Sequence, residues 1–277
     1  MRSSAGLVTY QCPLHLLRAL YGYGPYQTVV GHEGVGTVVK LGPGVQDDFL
    51  HQRVGVKWVY SACGECAICR KGFENNCPNQ INTGRHVAGT LQQYVVADAR
   101  YVTPIPADLP SETAAPLLCA GLTMAGAVSK LRDLEADRAP PRQTPSYRRG
   151  FGEAKRKLSL ESGADHFVDY REENVEERVK AITEGEGAAA ALVVPASEEA
   201  FAVAPRVVRN MGAILTIGLP RNDYEIPLSA SLCSARSLTV AGVATAVEVA
   251  NFEDIPDIFE KLKTGSIVGR IVVKIPQ

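Results

Sequence analysis

Four cysteines stand close together in one short stretch, where they could hold a metal ion. They are Cys63, Cys66, Cys69 and Cys77, so two residues separate the first pair, two the second, and seven lead to the fourth. Zinc takes four ligands in a tetrahedron and binds thiolates well. Because four of the seven cysteines of the chain fall in this stretch, the spacing predicts a metal site rather than free thiols or disulfides.

The type of this predicted metal site follows from its ligands. An all-cysteine set leaves no coordination position for water, which indicates a structural zinc ion rather than a catalytic one. Gly64 and Gly72 supply the backbone freedom that such a loop needs.

Three further side chains could bind a metal, but each has a simpler interpretation when it is taken alone. His32 and Glu33 stand on a bend in a β-branched segment that glycines interrupt, and a polar turn explains such a pair equally well. Cys119 lies in an Ala- and Leu-rich stretch, where a buried structural cysteine is the simpler interpretation.

Composition and charge limit the class of protein. The chain has 277 residues, 45% of them apolar, with 29 basic and 30 acidic residues and a formal net charge of −1. This balance argues against a nucleic-acid binder, and we find no apolar run that approaches membrane-spanning length. The first residues lack the uninterrupted apolar core of a signal peptide. An odd cysteine count with a metal-type cluster favours a reducing compartment, so we expect a cytoplasmic protein with neither nucleic-acid nor membrane partners.

The periodicity of the chain changes from β-rich to α/β along its length. Strands that alternate with helices predict a mostly parallel, doubly wound sheet in the second part. Strands are predicted at residues 54–59, 89–106, 166–168, 191–194, 213–219, 238–243 and 267–275. Helices are predicted at residues 111–131, 153–161, 175–182, 198–209 and 255–262.

Four motifs in this order resemble the zinc-dependent alcohol dehydrogenases of the medium-chain dehydrogenase/reductase family, in particular the short yeast and fungal branch. The motifs are Gly31-His32-Glu33-Gly34, the cysteine loop ending in Asn76-Cys77-Pro78, Leu118-Cys119-Ala120-Gly121, and Val268-Gly269-Arg270. The resemblance implies an α/β protein with a GroES-like β-rich catalytic domain and a Rossmann-type doubly wound domain. The implied boundaries are residues 1–125 for the catalytic domain, 126–265 for the Rossmann-type domain, and 266–277 for a C-terminal strand and tail that return toward the catalytic domain.

The resemblance also implies an activity, namely hydride transfer between a primary or secondary alcohol and NAD(P). The reactant would be a small alcohol or aldehyde, and the protein would be a homo-oligomer. In such proteins His32 and Cys119, together with Cys12, would bind a catalytic zinc ion that acts as a Lewis acid, and Glu33 would lie beside it or serve as an alternative ligand. The implied cofactor-binding residues are Ile217, Gly218 and Leu219 beside the nicotinamide and Arg270 at the pyrophosphate. Trp58 matches a position that lines the substrate pocket, although an ordinary core aromatic fits it equally well.

The early ligand motif of the family is altered in this chain. Where the family has Cys-x-Ser/Thr-Asp-x-His, the sequence reads Cys12-Pro13-Leu14-His15. Aligning Cys12 with the ligand puts Leu14 where a hydroxyl begins the proton relay. Aligning His15 instead puts Tyr10 at the ligand position, so we favour Cys12 as the third zinc ligand.

The nucleotide-binding part departs further from the family. Residues 132–152 contain no G-x-G-x-x-G, the turn that lets a pyrophosphate reach backbone amides. The acidic residue for the adenosine ribose is also missing, because Glu153 is expected to begin a helix. Prolines and arginines between residues 138 and 149 do not suit a buried central strand. A further strand–helix segment is missing after Ala246.

These gaps predict an incomplete Rossmann-type domain that lacks its first two strands and binds NAD weakly or not at all. Zinc, one structural and one catalytic ion, and NAD(P) are therefore the expected cofactors, with the dehydrogenase activity in question. The alternative is a zinc-binding remnant or truncated isoform without activity. The near-neutral charge disfavours a zinc-ribbon nucleic-acid module, and a zinc-free quinone reductase would not need the cysteine loop.

Overall fold

The computed structural model describes residues 29–136, 146–221 and 223–243. Cys12, His15, Arg270 and the elements predicted at 255–262 and 267–275 lie outside these ranges. The described residues form two compact units, which meet in sequence between Leu122 and Thr123. Each unit is described separately below.

The first unit is built from short antiparallel strands. β1 pairs with β2, and β2 pairs with β5, while β3 pairs with β4. The bounds are β1 Gly34–Thr37, β2 Arg53–Val56, β3 Val59–Ser61, β4 Ile81–Asn82 and β5 Thr103–Pro104. The strand predicted at 54–59 is therefore two strands, which separate at Lys57 and Trp58.

The strand predicted over residues 89–106 is wrong for most of its length. Only Thr103–Pro104 is a strand in that range. Its apolar residues do not all face one side, since Tyr94 is 43% exposed whereas the polar Gln92 is buried. The amides of Gly89 and Leu91 donate to the carbonyls of Val29 and Val30, and the Gln92 side chain donates to the Gly89 carbonyl, so irregular bonds rather than a regular strand ladder satisfy this backbone.

The helix predicted at 111–131 forms in three parts. α1 spans Ser111–Pro116, a π-helical turn spans Leu117–Gly121, and α2 spans Leu122–Ala136. Ala114, Ala115 and Leu118 are buried, and Leu118 packs against Gly55 of β2. By length and composition Ser111–Leu131 could also cross a membrane, contrary to the expectation from the sequence. Core helices pass the same test, so this feature alone is weak evidence for a membrane span.

The second unit contains two parallel sheets. β6 pairs with β7, and β9 lies between β8 and β10. The strands are β6 Tyr147–Gly150, β7 His166–Asp169, β8 Ala188–Val193, β9 Val208–Thr216 and β10 Thr239–Gly242. The helices that follow α2 are α3 Glu153–Glu161, α4 Val175–Ile182, α5 Glu198–Val207 and α6 Ala230–Arg236.

Helix ends in this unit follow local chemistry. The Asn174 side chain accepts from the Glu176 and Glu177 amides at the start of α4, and Ser197 and Ser229 cap α5 and α6 in the same way. Gly185, with a φ of 90°, ends α4 by donating its amide to the Lys180 carbonyl at 2.7 Å. These residue types are the ones that the backbone groups at helix ends favour.

One apolar core joins the two sheets of the second unit. Val168 of β7, Val179 of α4, Phe201 of α5 and Ile214 of β9 are all fully or almost fully buried in it. A smaller core holds Ala127 of α2 against Leu215 and Ile217.

The strand β6 corrects the expectation that the first two strands of the Rossmann-type sheet are missing, because it pairs in parallel with β7. Tertiary contacts explain why arginines are tolerated there. The Arg149 guanidinium lies 4.3 Å from the ring centroid of Tyr170 and pairs with Glu199 at 2.5 Å. Among the described residues no strand joins β7 to β8, so the expected separation of the two halves of the sheet is retained.

Candidate functional site

The cysteine loop, residues 63–77, brings four sulfur atoms together. The Sγ atoms of Cys63, Cys66, Cys69 and Cys77 all lie within 4.8 Å of one another. The Sγ of Cys63 is 3.8 Å from that of Cys69 and 3.6 Å from that of Cys77. Zinc–sulfur bonds of about 2.3 Å in a tetrahedron place the sulfurs roughly 3.5–4 Å apart, so this donor set fits a zinc ion.

The local backbone positions these sulfurs. Gly64 and Gly72 have φ values of 78° and 79°, in the left-handed region that favours glycine. Gly72 ends the short 3₁₀ turn Cys69–Lys71, and a second 3₁₀ turn, Glu74–Asn76, leads into Cys77. The loop therefore folds back on itself through its own turns, as the two glycines predicted.

Backbone amides and burial shift the pKa values of the clustered cysteine thiols. The Cys66 amide donates to the Cys63 sulfur, and the Cys69 amide to the Cys66 sulfur, each at 3.4 Å. Hydrogen bonding from the Glu65 amide lowers the pKa of Cys63 to about 6. Burial raises the pKa of Cys69 to about 12. The loop thus favours a thiolate at Cys63. A bound cation would supply the positive charge that stabilises the thiolate form of the more buried Cys69.

The cluster is shielded on one side by the first unit. Cys69 and Cys77 are 6% and 1% exposed, and they pack with Ala62 in a small core. Tyr101 packs against this core and its hydroxyl donates to the Ala62 carbonyl at 3.5 Å. The site is therefore closed and joined to the strands, which is the arrangement of a structural metal centre.

His32 lies just before β1 in the same unit. Its ring packs edge-on against Trp58, with ring centroids 5.0 Å apart. Burial lowers the pKa of His32 to about 4, so the imidazole is neutral at neutral pH. A neutral imidazole is the form that binds a metal ion.

Cys119 lies in the π-helical turn and is buried. Such turns are rare and often occur at functional sites. Within the described residues, the cysteine loop is the only group of three or more His, Cys, Asp or Glu side chains with ligand atoms this close. His32, Glu33 and Cys119 do not form such a group, and Cys12, their expected partner, lies outside the described ranges.

The predicted cofactor residues follow β9. Ile217 is 1% exposed and belongs to the core with Ala127, whereas the Leu219 side chain is 57% exposed. Gly218 approaches the backbone of Pro195 so closely that an added Cβ would lie 2.2 Å from its carbonyl oxygen. Glycine is therefore required there for packing between the two loops that follow β8 and β9.

The prolines and arginines between residues 138 and 149 predict against a buried central strand, but Arg148 and Arg149 lie in β6. The signal that could have found them is the pattern Tyr147-Arg148-Arg149-Gly150 directly before a helix, which resembles a short strand that ends at a glycine.

Comparison with known proteins identifies the family. The alcohol dehydrogenase GroES-like domain matches residues 8–107, and the zinc-binding dehydrogenase domain matches residues 151–264. Alcohol dehydrogenase 2 of Emericella nidulans is 35% identical over 300 residues, which cover 88% of this chain and 80% of that protein. The chain belongs to the zinc-binding alcohol dehydrogenase family. An alcohol dehydrogenase of Geobacillus stearothermophilus is 32% identical over 290 residues, covering 90% and 83% of the two chains.

Solved structures of the family share the fold. The alcohol dehydrogenase of Aeropyrum pernix superposes with a TM-score of 0.76 at 23% identity, covering 94% of this chain and 86% of that one. A cinnamyl alcohol dehydrogenase of Sorghum bicolor gives a TM-score of 0.75 at 22% identity, covering 95% and 88%. The predicted fold class, a GroES-like β-rich domain with a Rossmann-type domain, is confirmed.

The alignment with the Emericella relative also bears on the missing segments. It extends over 300 positions, more than the 277 residues of the whole chain, although it uses only 88% of the chain. The relative therefore contains residues within the aligned region that have no counterpart here.

Proposed function

We propose that this chain is a zinc-dependent oxidoreductase that transfers a hydride between a primary or secondary alcohol and NAD(P), with a weakened dinucleotide site. The observation that carries the proposal is the four-sulfur cluster in a chain that matches alcohol dehydrogenases along most of its length. Its relatives bear the name alcohol dehydrogenase, which supports a small alcohol or aldehyde as the reactant. Cytoplasmic location and homo-oligomeric assembly belong to the same proposal.

Two zinc sites belong to the proposal. Cys63, Cys66, Cys69 and Cys77 hold the structural ion. His32 and Cys119, with Cys12 as the third ligand and Glu33 close by, hold the catalytic ion. The neutral, buried His32 and the thiol of Cys119 are donors of the type that zinc prefers.

When bound, a catalytic zinc ion supplies Lewis-acid polarisation of an alcohol or carbonyl oxygen. The residues of this chain contribute by positioning the proposed zinc ligand His32 and by keeping it neutral. Trp58 packs against the His32 ring and restricts its movement. Burial keeps the imidazole neutral at neutral pH, so that one ring nitrogen is available as a ligand.

The proposed weakness of the dinucleotide site rests on what residues 132–152 contain. No glycine-rich turn is present in that part of the sequence. The residues after β6 carry no acidic group before Glu153, which begins α3 as the sequence predicted. Ile217, Gly218, Leu219 and Arg270 remain as proposed contacts, and they provide no cradle for two phosphates.

A direct assay tests the proposed function. The zinc-loaded chain is incubated with primary and secondary alcohols and with NAD⁺ or NADP⁺, and reduced nucleotide is followed by absorbance. We expect slow, alcohol-dependent reduction that is lost in Cys119→Ala. Cys233→Ala is the matched control, because Cys233 lies in α6 and in neither proposed site. If the zinc-loaded protein is inactive with every alcohol and both nucleotides, the inactive zinc-binding remnant replaces this proposal.

A further inference from the structure

A cationic and aromatic cluster lies where β6 and β7 end. Phe151 and Tyr170 follow the two strands and meet edge to face, with ring centroids 5.6 Å apart. The Lys155 Nζ lies 4.0 Å from the ring centroid of Phe151, and the Arg171 guanidinium carbon lies 3.7 Å from it. These four side chains are named the Phe151 cluster here. They all lie in the second unit and belong to neither proposed zinc site.

The place of the cluster in the fold suits a nucleotide. Ligands of parallel α/β sheets bind at the carboxyl ends of the strands, and β6 and β7 are parallel and both end here. In dinucleotide-binding folds a carboxylate at such a strand end accepts from the ribose 2′-hydroxyl of NAD, whereas an arginine nearby accommodates the 2′-phosphate of NADP.

No carboxylate stands at the end of β6. Gly150, Phe151 and Gly152 follow one another there. The next residue, Glu153, begins α3 with a side chain 84% exposed, and it pairs with Arg156 at 3.5 Å. The position where a ribose hydroxyl would find an acceptor is therefore an aromatic ring between two cations.

The nearest buried carboxylate, Asp169, is committed to the backbone. It accepts from the Gly152 amide at 2.7 Å and from the Arg171 amide at 3.0 Å. The bond from Gly152 is the main cause that lowers the pKa of Asp169. Asp169 thus ties together the two loops that carry the Phe151 cluster, and its oxygen atoms are directed at amides.

Of the two glutamates in the second loop, Glu172 and Glu173, the second is also engaged. Glu173 accepts from the Asp169 amide at 3.1 Å and pairs with Arg178 at 3.3 Å. Arg171 is exposed directly after β7, and it is followed by the exposed Glu172. The two cations in contact with the Phe151 ring, Lys155 and Arg171, suit an anion.

We propose that the Phe151 cluster recognises the 2′-phosphate on the adenosine of a dinucleotide, so that this chain prefers NADP(H) to NAD(H). This inference rests on the proposed function, because it assumes that a dinucleotide binds at the carboxyl ends of the parallel strands. A 2′-phosphate carries close to two negative charges and accepts charge-assisted hydrogen bonds from Lys155 and Arg171. The unphosphorylated ribose of NAD meets no carboxylate at the end of β6, and its neutral hydroxyl group is a weaker partner for the two cations than a phosphate.

Adenosine fragments test this recognition without zinc, alcohol or turnover. Binding of adenosine 2′,5′-bisphosphate, adenosine 3′,5′-bisphosphate and 5′-AMP to the full chain is measured by isothermal titration calorimetry. We expect the 2′,5′-bisphosphate to bind at least about tenfold more tightly than 5′-AMP, as charge-assisted hydrogen bonds to a second phosphate predict. The 3′,5′ isomer carries the same charge in another position and should bind more weakly than the 2′,5′ isomer.

Two variants identify the residues responsible. Lys155→Gln and Arg171→Gln should each reduce the affinity for the 2′,5′-bisphosphate by about tenfold and leave that for 5′-AMP unchanged. Lys157→Gln is the matched control, since Lys157 lies on the same helix, 72% exposed, and its nearest acidic partner is Glu161 at 3.9 Å. The affinity of Lys157→Gln for the 2′,5′-bisphosphate should equal that of the wild type.

The outcomes separate this inference from the proposed function. Equal affinity for the 2′,5′-bisphosphate and 5′-AMP, a preference for the 3′,5′ isomer, or binding of none of the three overturns the inference. Alcohol oxidation with NAD⁺ but not NADP⁺ overturns it as well and leaves the proposed function intact. Selective binding of the 2′,5′-bisphosphate by a chain without alcohol-dependent activity supports the inference and overturns the proposed function.

Discussion

At the scale of single residues, individual cysteine side chains determine whether the loop can bind zinc. Cys77 is the most buried of the four clustered cysteines, at 1% exposure, and its sulfur lies 3.6 Å from that of Cys63. Serine in its place would leave a poor ligand for zinc and a buried hydroxyl among three thiols. The site would then lose one of its four thiolate ligands.

We expect Cys77→Ser to lose about one zinc ion per chain when it is purified in the presence of a moderate chelator. Its midpoint of thermal unfolding should also fall, because metal binding contributes directly to folding in sites of this type. Zinc is measured by atomic emission and unfolding by circular dichroism. Cys233→Ser, which removes a cysteine of α6, is the control and should keep its zinc. Equal zinc in the two variants would contradict the assignment of the cluster.

His32 provides a second test at the same scale. We expect His32→Ala to contain about one zinc ion fewer than the wild type if both sites fill. His51→Asn is the control, because His51 has a φ of 66° that asparagine tolerates and is not a proposed ligand. If wild type and His32→Ala hold the same amount of zinc, His32 is not a ligand.

At the scale of elements, close backbone approaches hold His32 in place. The Gly89 amide donates to the Val29 carbonyl at 2.8 Å, and the Thr90 amide donates to the Gly31 carbonyl at 3.0 Å. A Cβ on Gly89 would lie 2.3 Å from the Val30 backbone. Backbone atoms cannot move aside as the end of a flexible side chain can, so this contact requires glycine.

Gly89→Ala should therefore lower the free energy of unfolding by on the order of 3 kcal/mol, the upper part of the range for overpacking. Gly36→Ala is the matched control, because a Cβ there meets nothing within 4 Å, and its effect should stay within about 0.5 kcal/mol. Trp58 is the only tryptophan of the chain, so its fluorescence during urea unfolding reports on this unit. Equal stability of the two variants would show that the segment before β1 is not held in this way.

The elements also show what sequence patterns can and cannot predict. The cysteine loop and the helices α3 to α5 were predicted correctly, because ligand spacing, caps such as Asn174 and the period of apolar residues are local properties. β6 was missed because its arginines are stabilised by partners distant in sequence, Tyr170 and Glu199. The strand predicted at 89–106 fails for a related reason, since the amides of Gly89 and Thr90 bond to Val29 and Gly31, far away in sequence.

At the scale of the molecule, a well-formed cysteine loop is combined with a Rossmann-type unit. Its described parallel strands form two sheets, β6 with β7 and β8 with β9 and β10. Dinucleotide affinity normally depends on a glycine-rich turn at a helix N-terminus and an acidic residue on the ribose. Neither is found in residues 132–152, whereas the first unit keeps the motifs around His32, the cysteine loop and Cys119 and departs from the family at Cys12.

We therefore expect NADH to bind weakly. Titration of NADH into the purified protein, followed by nucleotide fluorescence, should show no saturation at micromolar concentrations. The titration repeated with Cys233→Ser serves as a check on the preparation, since that residue lies outside every proposed site. Saturable micromolar binding of NADH would mean that other parts of the chain replace the missing turn.

The closeness in sequence of the four clustered cysteines has a consequence for the order of events in folding. Contacts between residues that are near in sequence form early, because little loop-closure entropy opposes them. Residues 63–77 can therefore capture zinc while the chain is still being synthesised, before Tyr101 or the helix that carries Cys119 has left the ribosome. The ion then provides an early nucleus against which later segments pack. We therefore expect zinc shortage to impair folding at this first step, whatever the state of the nucleotide site.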